Sequence, residues 1–190
     1  MDMEKIQPTW QDTKNYIKLY HTLKQKPSSG SRYIGDVSNI ILEKNIQSIW
    51  DYGCGINCLL IKGVKKKFPD FNISGYDPAI LNDKPFVHNY ITTDPVDMIV
   101  STDCLEHLRI AELKKCFKFW KQKNPKYIFV ATINRLAHKT LPDKTNPHKT
   151  IESKDWWIGF LQAHFWQYKL NEKYTRMAND ERFTIFLEKV

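Results

Sequence analysis

The 190-residue sequence contains no uninterrupted apolar run near the roughly 20 residues needed to cross a bilayer. Its opening stretch, MDMEKIQPTW, lacks the basic start and apolar block of a secretory signal. A soluble, cytoplasmic protein that makes no use of a membrane is therefore expected. The four cysteines, Cys54, Cys58, Cys104 and Cys116, fit no paired zinc spacing, so neither a metal site nor a disulfide framework is expected of them. There is no internal repeat, no low-complexity tract and no linker long enough to separate domains. One domain over residues 1–190 follows, with helices in residues 1–45 expected to cover its cleft.

What is present is basic: the formal charge is +8. That balance suits phosphates and other acidic partners. The lysines are scattered, however, and the densest run, Lys65 to Lys67, closes an expected helix, where cations complement the dipole. A small-molecule or acidic partner is favoured over nucleic acid.

Periodicity gives alternating helices and short strands. Tyr16, Leu19, Tyr20 and Leu23 share one face of a first helix that stops near Pro27, and Ile34, Val37, Ile40 and Ile41 mark a second. QSIWDY, NISGYD, a weaker segment through Phe86 and Val87, DMIVSTD and KYIFVATI read as strands. Leu60, Val64 and Phe68 mark a helix after the first strand, and another is expected from Leu105 through Trp120. A helix striped with Trp157, Phe160, Leu161 and Phe165 precedes QYKLNEKY and RFTIFLEK, which read as an antiparallel hairpin joined by a short turn. The fold class is α/β, a Rossmann-like, mostly parallel sheet with helices on both faces.

In such a sheet ligands bind beyond the carboxyl ends of the strands. The first strand ends in DYGCGIN, placing Asp51, Gly53, Gly55 and Asn57 there. The glycines admit backbone angles closed to other residues, and Asn57 tolerates a left-handed conformation. Asp77 ends the second strand about twenty residues later, where an acid accepts hydrogen bonds from ribose hydroxyls. A nucleoside-containing cofactor follows. Asp51 would repel a phosphate at this helix start, Cys58 stands where a dinucleotide fingerprint wants a third glycine, and no GK[ST] triplet occurs. A ligand carrying an ammonium and a sulfonium suits Asp51, and S-adenosyl-L-methionine is such a ligand.

DYGCGIN, GYDP and DMIVSTDCLEHL together resemble the successive motifs of class I S-adenosylmethionine-dependent methyltransferases over residues 30–165, and LPDKTNPHKT with Trp156 and Trp157 is similar to a stretch of small phage-type members. The resemblance implies a seven-stranded sheet whose last strand is antiparallel. It implies that Asp51, Gly53 and Gly55 hold the methionine part, Asp77 the ribose, and Ser101, Thr102 and Asp103 border the adenine and methyl group. Asn89 is the expected adenine contact. A nucleotide-dependent oxidoreductase and a non-catalytic cofactor-binding module remain the alternatives.

Catalytic candidates are Asp103, His107 and His148. Asp103, Glu106 and His107 are expected at a helix start, where acids also serve as caps. His148 lies in the long polar segment from Arg135 to Thr150 and could act as general base for a hydroxyl acceptor, while His138 reads as a loop residue. A zinc site using Cys104, His107 and another histidine is disfavoured for want of a ligand spacing. The sequence after the fourth strand lacks the Pro-Pro-aromatic motif of enzymes that methylate exocyclic base amines, and Cys104 lacks the Pro-Cys setting of cytosine C5 enzymes.

Overall fold

Strand and helix periods sort the apolar residues onto the two faces of one sheet. In the computed structural model, which describes residues 12–22, 29–80, 86–88, 90–92 and 94–190, the strands are β1 (Ser48–Tyr52), β2 (Asn72–Tyr76), β3 (Val87–His88), β4 (Met98–Thr102), β5 (Tyr127–Ile133), β6 (Tyr168–Leu170), β7 (Arg176–Met177) and β8 (Arg182–Lys189). Their order is β3-β2-β1-β4-β5-β8-β6, with β7 paired to β8 off this path. β1 to β5 run parallel, while β8 is antiparallel to β5, β6 and β7.

Among the described residues the sheet thus has eight strands rather than seven. The polar stretch after β6 is not a plain turn: Arg176 and Met177 pair back onto β8, and Ala178 donates to the Arg182 carbonyl at 2.7 Å. Alternation had marked the two longer strands and could not mark a two-residue one.

The helices are α1 (Thr13–Thr22), α2 (Ile34–Lys44), α3 (Leu59–Lys67), α4 (Ile110–Gln122) and α5 (Lys154–His164), with 3₁₀ turns at Ser29–Tyr33 and Leu105–His107. α2 and α3 bring Val37, Ile40, Leu60 and Val64 onto Ile49, Met98, Val100 and Phe129. On the other face α4 and α5 bring Phe117, Trp120, Trp157 and Leu161 onto Trp50, Ile99, Ile128 and Ile185. Trp120 and Trp157 are wholly buried. An indole of that kind removes on the order of 200 Å² from water, about 5 kcal/mol as an upper figure.

Local chemistry sets the boundaries. Lys65, Lys66 and Lys67 fill the last turn of α3, as the dipole favours. The helix expected from Leu105 is interrupted. Arg109 is extended (φ −72°, ψ 160°), and Glu112 turns back to accept its N–H at 2.8 Å, so α4 begins afresh at Ile110. Ser153 caps α5 by accepting from the Trp156 N–H at 3.2 Å. Residues 23–28, where the first helix was expected to end, and Asn89 lie outside the described residues. Among the described residues no helix is long and apolar enough to cross a membrane.

Candidate active site

β1 joins β2 on one side and β4 on the other, so the chain reverses direction across the sheet between β1 and β4. A crevice opens at the carboxyl ends of strands on either side of such a switch. Here it is a cleft of about 500 Å³, with the turn after β1, Asp77, Thr102, Asp103, the segment from Arg135 to His148 and some of α1 around it.

The turn is fixed by backbone bonds. Gly53 and Cys54 both donate to the Tyr76 carbonyl, at 2.8 and 3.1 Å, which folds the loop over the end of β2. Gly53 has φ +78°, and a Cβ there would lie 2.1 Å from Cys104 Sγ, so no side chain fits. Gly55, at φ +65°, faces open space within the cleft wall. The left-handed residue at the start of α3 is Cys58 (φ 50°), not Asn57 as expected.

Asp77 closes the arrangement. One carboxylate oxygen accepts the Gly55 N–H at 3.0 Å and the other the Ala79 N–H at 2.9 Å. The acid therefore ties the glycine turn to the end of β2 while still lining the cleft. Asp51 lies deeper. It is buried beneath the turn and does not line the cleft, its Oδ1 has no hydrogen-bond partner among the described residues, and burial pushes its carboxyl well above the usual range.

A second cluster forms where the 3₁₀ turn after β4 meets the loop after β5. Glu106, His107 and His148 each offer a ligand atom, and the three atoms lie within 4.8 Å of one another. Glu106 is buried; its Oε2 accepts from the Thr132 hydroxyl at 3.0 Å, and its Oε1 has no partner among the described residues. Burial raises its carboxyl to about 8. His107 Nδ1 stands 3.2 Å from the Pro147 carbonyl and 2.8 Å from the Tyr16 hydroxyl, and His148 Nδ1 stands 2.5 Å from the Arg135 carbonyl. Nδ1 thus carries the proton opposite each carbonyl, and Nε2 is the nitrogen left for an ion. Burial, with His148 alongside, lowers His107 to about 3, and burial lowers His148 as well, so both imidazoles are neutral at pH 7.

Neither a protein-family model nor a curated protein matches the sequence. Solved structures do match. The methyltransferase domain of bacterial CtHen1-C is 14% identical, with a TM-score of 0.62 over 84% of this chain and 97% of that one. Magnesium protoporphyrin IX methyltransferase (ChlM) from Synechocystis PCC 6803, crystallised with bound SAM, is 11% identical at TM-score 0.57, covering 96% and 86%. A SAM dependent methyltransferase from Archaeoglobus fulgidus is 12% identical at TM-score 0.57, covering 92% and 98%. The chain has the class I methyltransferase fold.

Set on that methyltransferase fold, the residues expected at the site do not all face the cleft, Asp51 lying beneath its turn. Gly53, Gly55, Asp77, Thr102, Asp103, His107 and His148 all line the cleft. Ser101 does not: it is fully buried, and its hydroxyl donates to the Tyr52 carbonyl at 3.0 Å, clamping β4 to β1. Asp103 lines the cleft but is already engaged. It pairs with Arg182, lies 3.6 Å from Arg32 and accepts from the Tyr33 hydroxyl at 3.5 Å, so it serves to hold two guanidiniums rather than as a free base.

Residues missed at the sequence level are Glu106 as a site acid, together with Tyr16, Arg32 and Arg182. Glu106 and His107 are adjacent in sequence and His148 lies forty-one residues on, so no ligand spacing betrayed the set. Trp156 stacks on Phe160 at 4.7 Å and is absent from the cleft lining.

Proposed function

We propose that this protein binds S-adenosyl-L-methionine and transfers its methyl group to a hydroxyl of a phosphate-bearing acceptor, with Glu106, His107 and His148 holding a divalent cation beside that hydroxyl. The observation that carries this reading is the convergence of those three ligand atoms in the same cleft as the glycine turn.

Several features support the donor half. The buried Asp51 carboxyl beneath the turn, whose Oδ1 has no hydrogen-bond partner among the described residues, would be held as an anion by a cationic group above it. The open space at Gly55 admits a ligand against the main chain, and Asp77 presents an acidic side chain to the same cleft at the end of β2, where it suits ribose hydroxyls. Bound there, the cofactor would supply an electrophilic methyl group. The protein's role is then placement in line with the sulfur–methyl bond.

For the acceptor half, a carboxylate and two imidazoles suit Mn²⁺, Fe²⁺, Co²⁺ or Zn²⁺, and three protein donors leave positions open for substrate oxygens. Such an ion would lower the pKa of a hydroxyl bound to it. Arg32, Arg135 and Lys139 line the same cleft and favour an acceptor carrying phosphate, whether a small metabolite or the end of a nucleic-acid chain. Methyl transfer is tested by S-adenosylhomocysteine production with Mn²⁺, Co²⁺ or EDTA across phosphorylated sugars, nucleotides and oligoribonucleotides. Cation-dependent turnover on one of these classes supports the reading. Turnover that is indifferent to EDTA and confined to uncharged amines overturns it.

A further inference from the structure

α1 belongs neither to the sheet nor to its two helical layers, yet its contacts land on one place. The Tyr16 hydroxyl lies 2.8 Å from His107 Nδ1 and donates to the Pro147 carbonyl at 3.1 Å, with its ring edge-on to the imidazole at 5.4 Å. Asp12, just before the helix, lies 3.3 Å from Arg109 and 3.4 Å from Lys149, and the Asn15 amide donates to Asp143 at 2.7 Å. Each of these partners lies within five residues of His107 or His148 along the chain.

We infer that Tyr16 is a positioning residue for His107 and that docking of α1 and occupancy of the cation site are one linked equilibrium. The inference rests on the cation reading given above. A partner at Nδ1 fixes the ring and its tautomer, so that Nε2 faces the ion without a search of rotamers. An imidazole bound to a cation through Nε2 in turn becomes a stronger donor at Nδ1, which tightens its bonds to the groups that α1 and Pro147 present. Loss of such an outer partner typically weakens metal affinity by about 10- to 100-fold. Linkage is reciprocal: if α1 strengthens ion binding, the ion strengthens α1 docking by the same factor.

The test uses the full chain and Mn²⁺ alone as the probe. Mn²⁺ affinity is measured by calorimetry for the wild type, Tyr16→Phe and Asp12→Asn, and amide exchange is followed over residues 13–19 with and without Mn²⁺. Tyr16→Phe is expected to bind about 10- to 100-fold more weakly. Asp12→Asn, which touches neither histidine, is expected to bind roughly three- to tenfold more weakly through loss of the ion pairs that dock the helix. Mn²⁺ is expected to slow exchange in 13–19 in the wild type and to do so less in both variants. If the wild type binds Mn²⁺ and both variants match it in affinity and protection, the inference is overturned while the cation reading stands. If the wild type binds no Mn²⁺, both are overturned together.

Discussion

Replacing Asp77 by alanine acts on two things at once, and the structure says how to separate them. The carboxylate accepts the Gly55 and Ala79 N–H groups at 3.0 and 2.9 Å, so its removal leaves two turn amides without their acceptor. On the proposed cofactor reading it also removes the acid that would accept from ribose hydroxyls. Each charge-assisted bond to the ribose is worth on the order of 1.5 to 3 kcal/mol, which is roughly a 10- to 150-fold loss in affinity for S-adenosylhomocysteine. A loosened turn would weaken binding too, so the raw loss cannot assign the contact. The discriminating assay is calorimetry with the parent compound and its 2′-deoxy and 3′-deoxy forms. In the wild type, deleting a contacted hydroxyl should lower affinity about tenfold or more. In Asp77→Ala, with the fold verified by circular dichroism, parent and deoxy forms should bind within roughly twofold of each other, since the bond no longer exists to be lost. Equal discrimination by wild type and variant would refute the ribose assignment and leave Asp77 as a turn residue only.

Asp51→Asn keeps the shape of a buried carboxyl whose Oδ1 has no hydrogen-bond partner among the described residues and which burial already disfavours as an anion, so the ligand-free protein should be no less stable while S-adenosylmethionine binds more weakly; a lower melting temperature with unchanged affinity would contradict the role given to it. Glu106→Gln should abolish Mn²⁺ binding seen by calorimetry and reduce turnover while leaving S-adenosylhomocysteine affinity within about threefold, and equal Mn²⁺ affinity would remove Glu106 from the ligand set. Lys123 is buried, donating to Thr92 at 3.2 Å and the Asp94 carbonyl at 3.1 Å above the Trp50 ring, and burial lowers it from 10.5 to about 8. Between pH 8 and 10.5 the unfolded chain binds the proton that the folded chain has released, so this group makes stability rise with pH through that window, by on the order of 2 to 3 kcal/mol. Denaturant titrations should show that rise in the wild type relative to Lys123→Met, and parallel pH profiles would place the Lys123 pKa near its ordinary value.

The parallel half of the sheet was legible because its strands are buried on both faces and read as short apolar runs, and because Asp51, Gly53, Gly55 and Asp77 lie next to strand ends where sequence position and spatial position coincide. The antiparallel edge was legible only in outline. β7 has two exposed residues, Arg176 and Met177, held by a ladder with β8 that no alternation pattern records. The cluster of Glu106, His107 and His148 was hidden for a different reason. Glu106 and His107 read as helix-start residues because Leu105, Leu108 and Leu113 fit one helical stripe, whereas the extended backbone at Arg109 splits that stripe into a 3₁₀ turn and a new helix. His148 is brought to them by long-range contacts, among them the bonds of the Lys149 and Thr150 N–H groups to the Glu106 carbonyl, at 2.7 and 3.0 Å. Asp103 stood at the expected strand end, but its partners Arg32 and Arg182 come from 71 and 79 residues away along the chain, beyond the reach of a local pattern.

Every role given to the cleft beyond β1, β2 and β4 depends on its taking S-adenosylmethionine. Titration calorimetry of the intact chain with S-adenosylmethionine, S-adenosylhomocysteine and NAD decides that point. Saturable one-to-one binding of both adenosyl compounds is expected, lost when Gly55 is replaced by valine, with no measurable heat from NAD. Binding of NAD with neither adenosyl compound bound would contradict the assignment and favour a nucleotide-dependent oxidoreductase on the same fold.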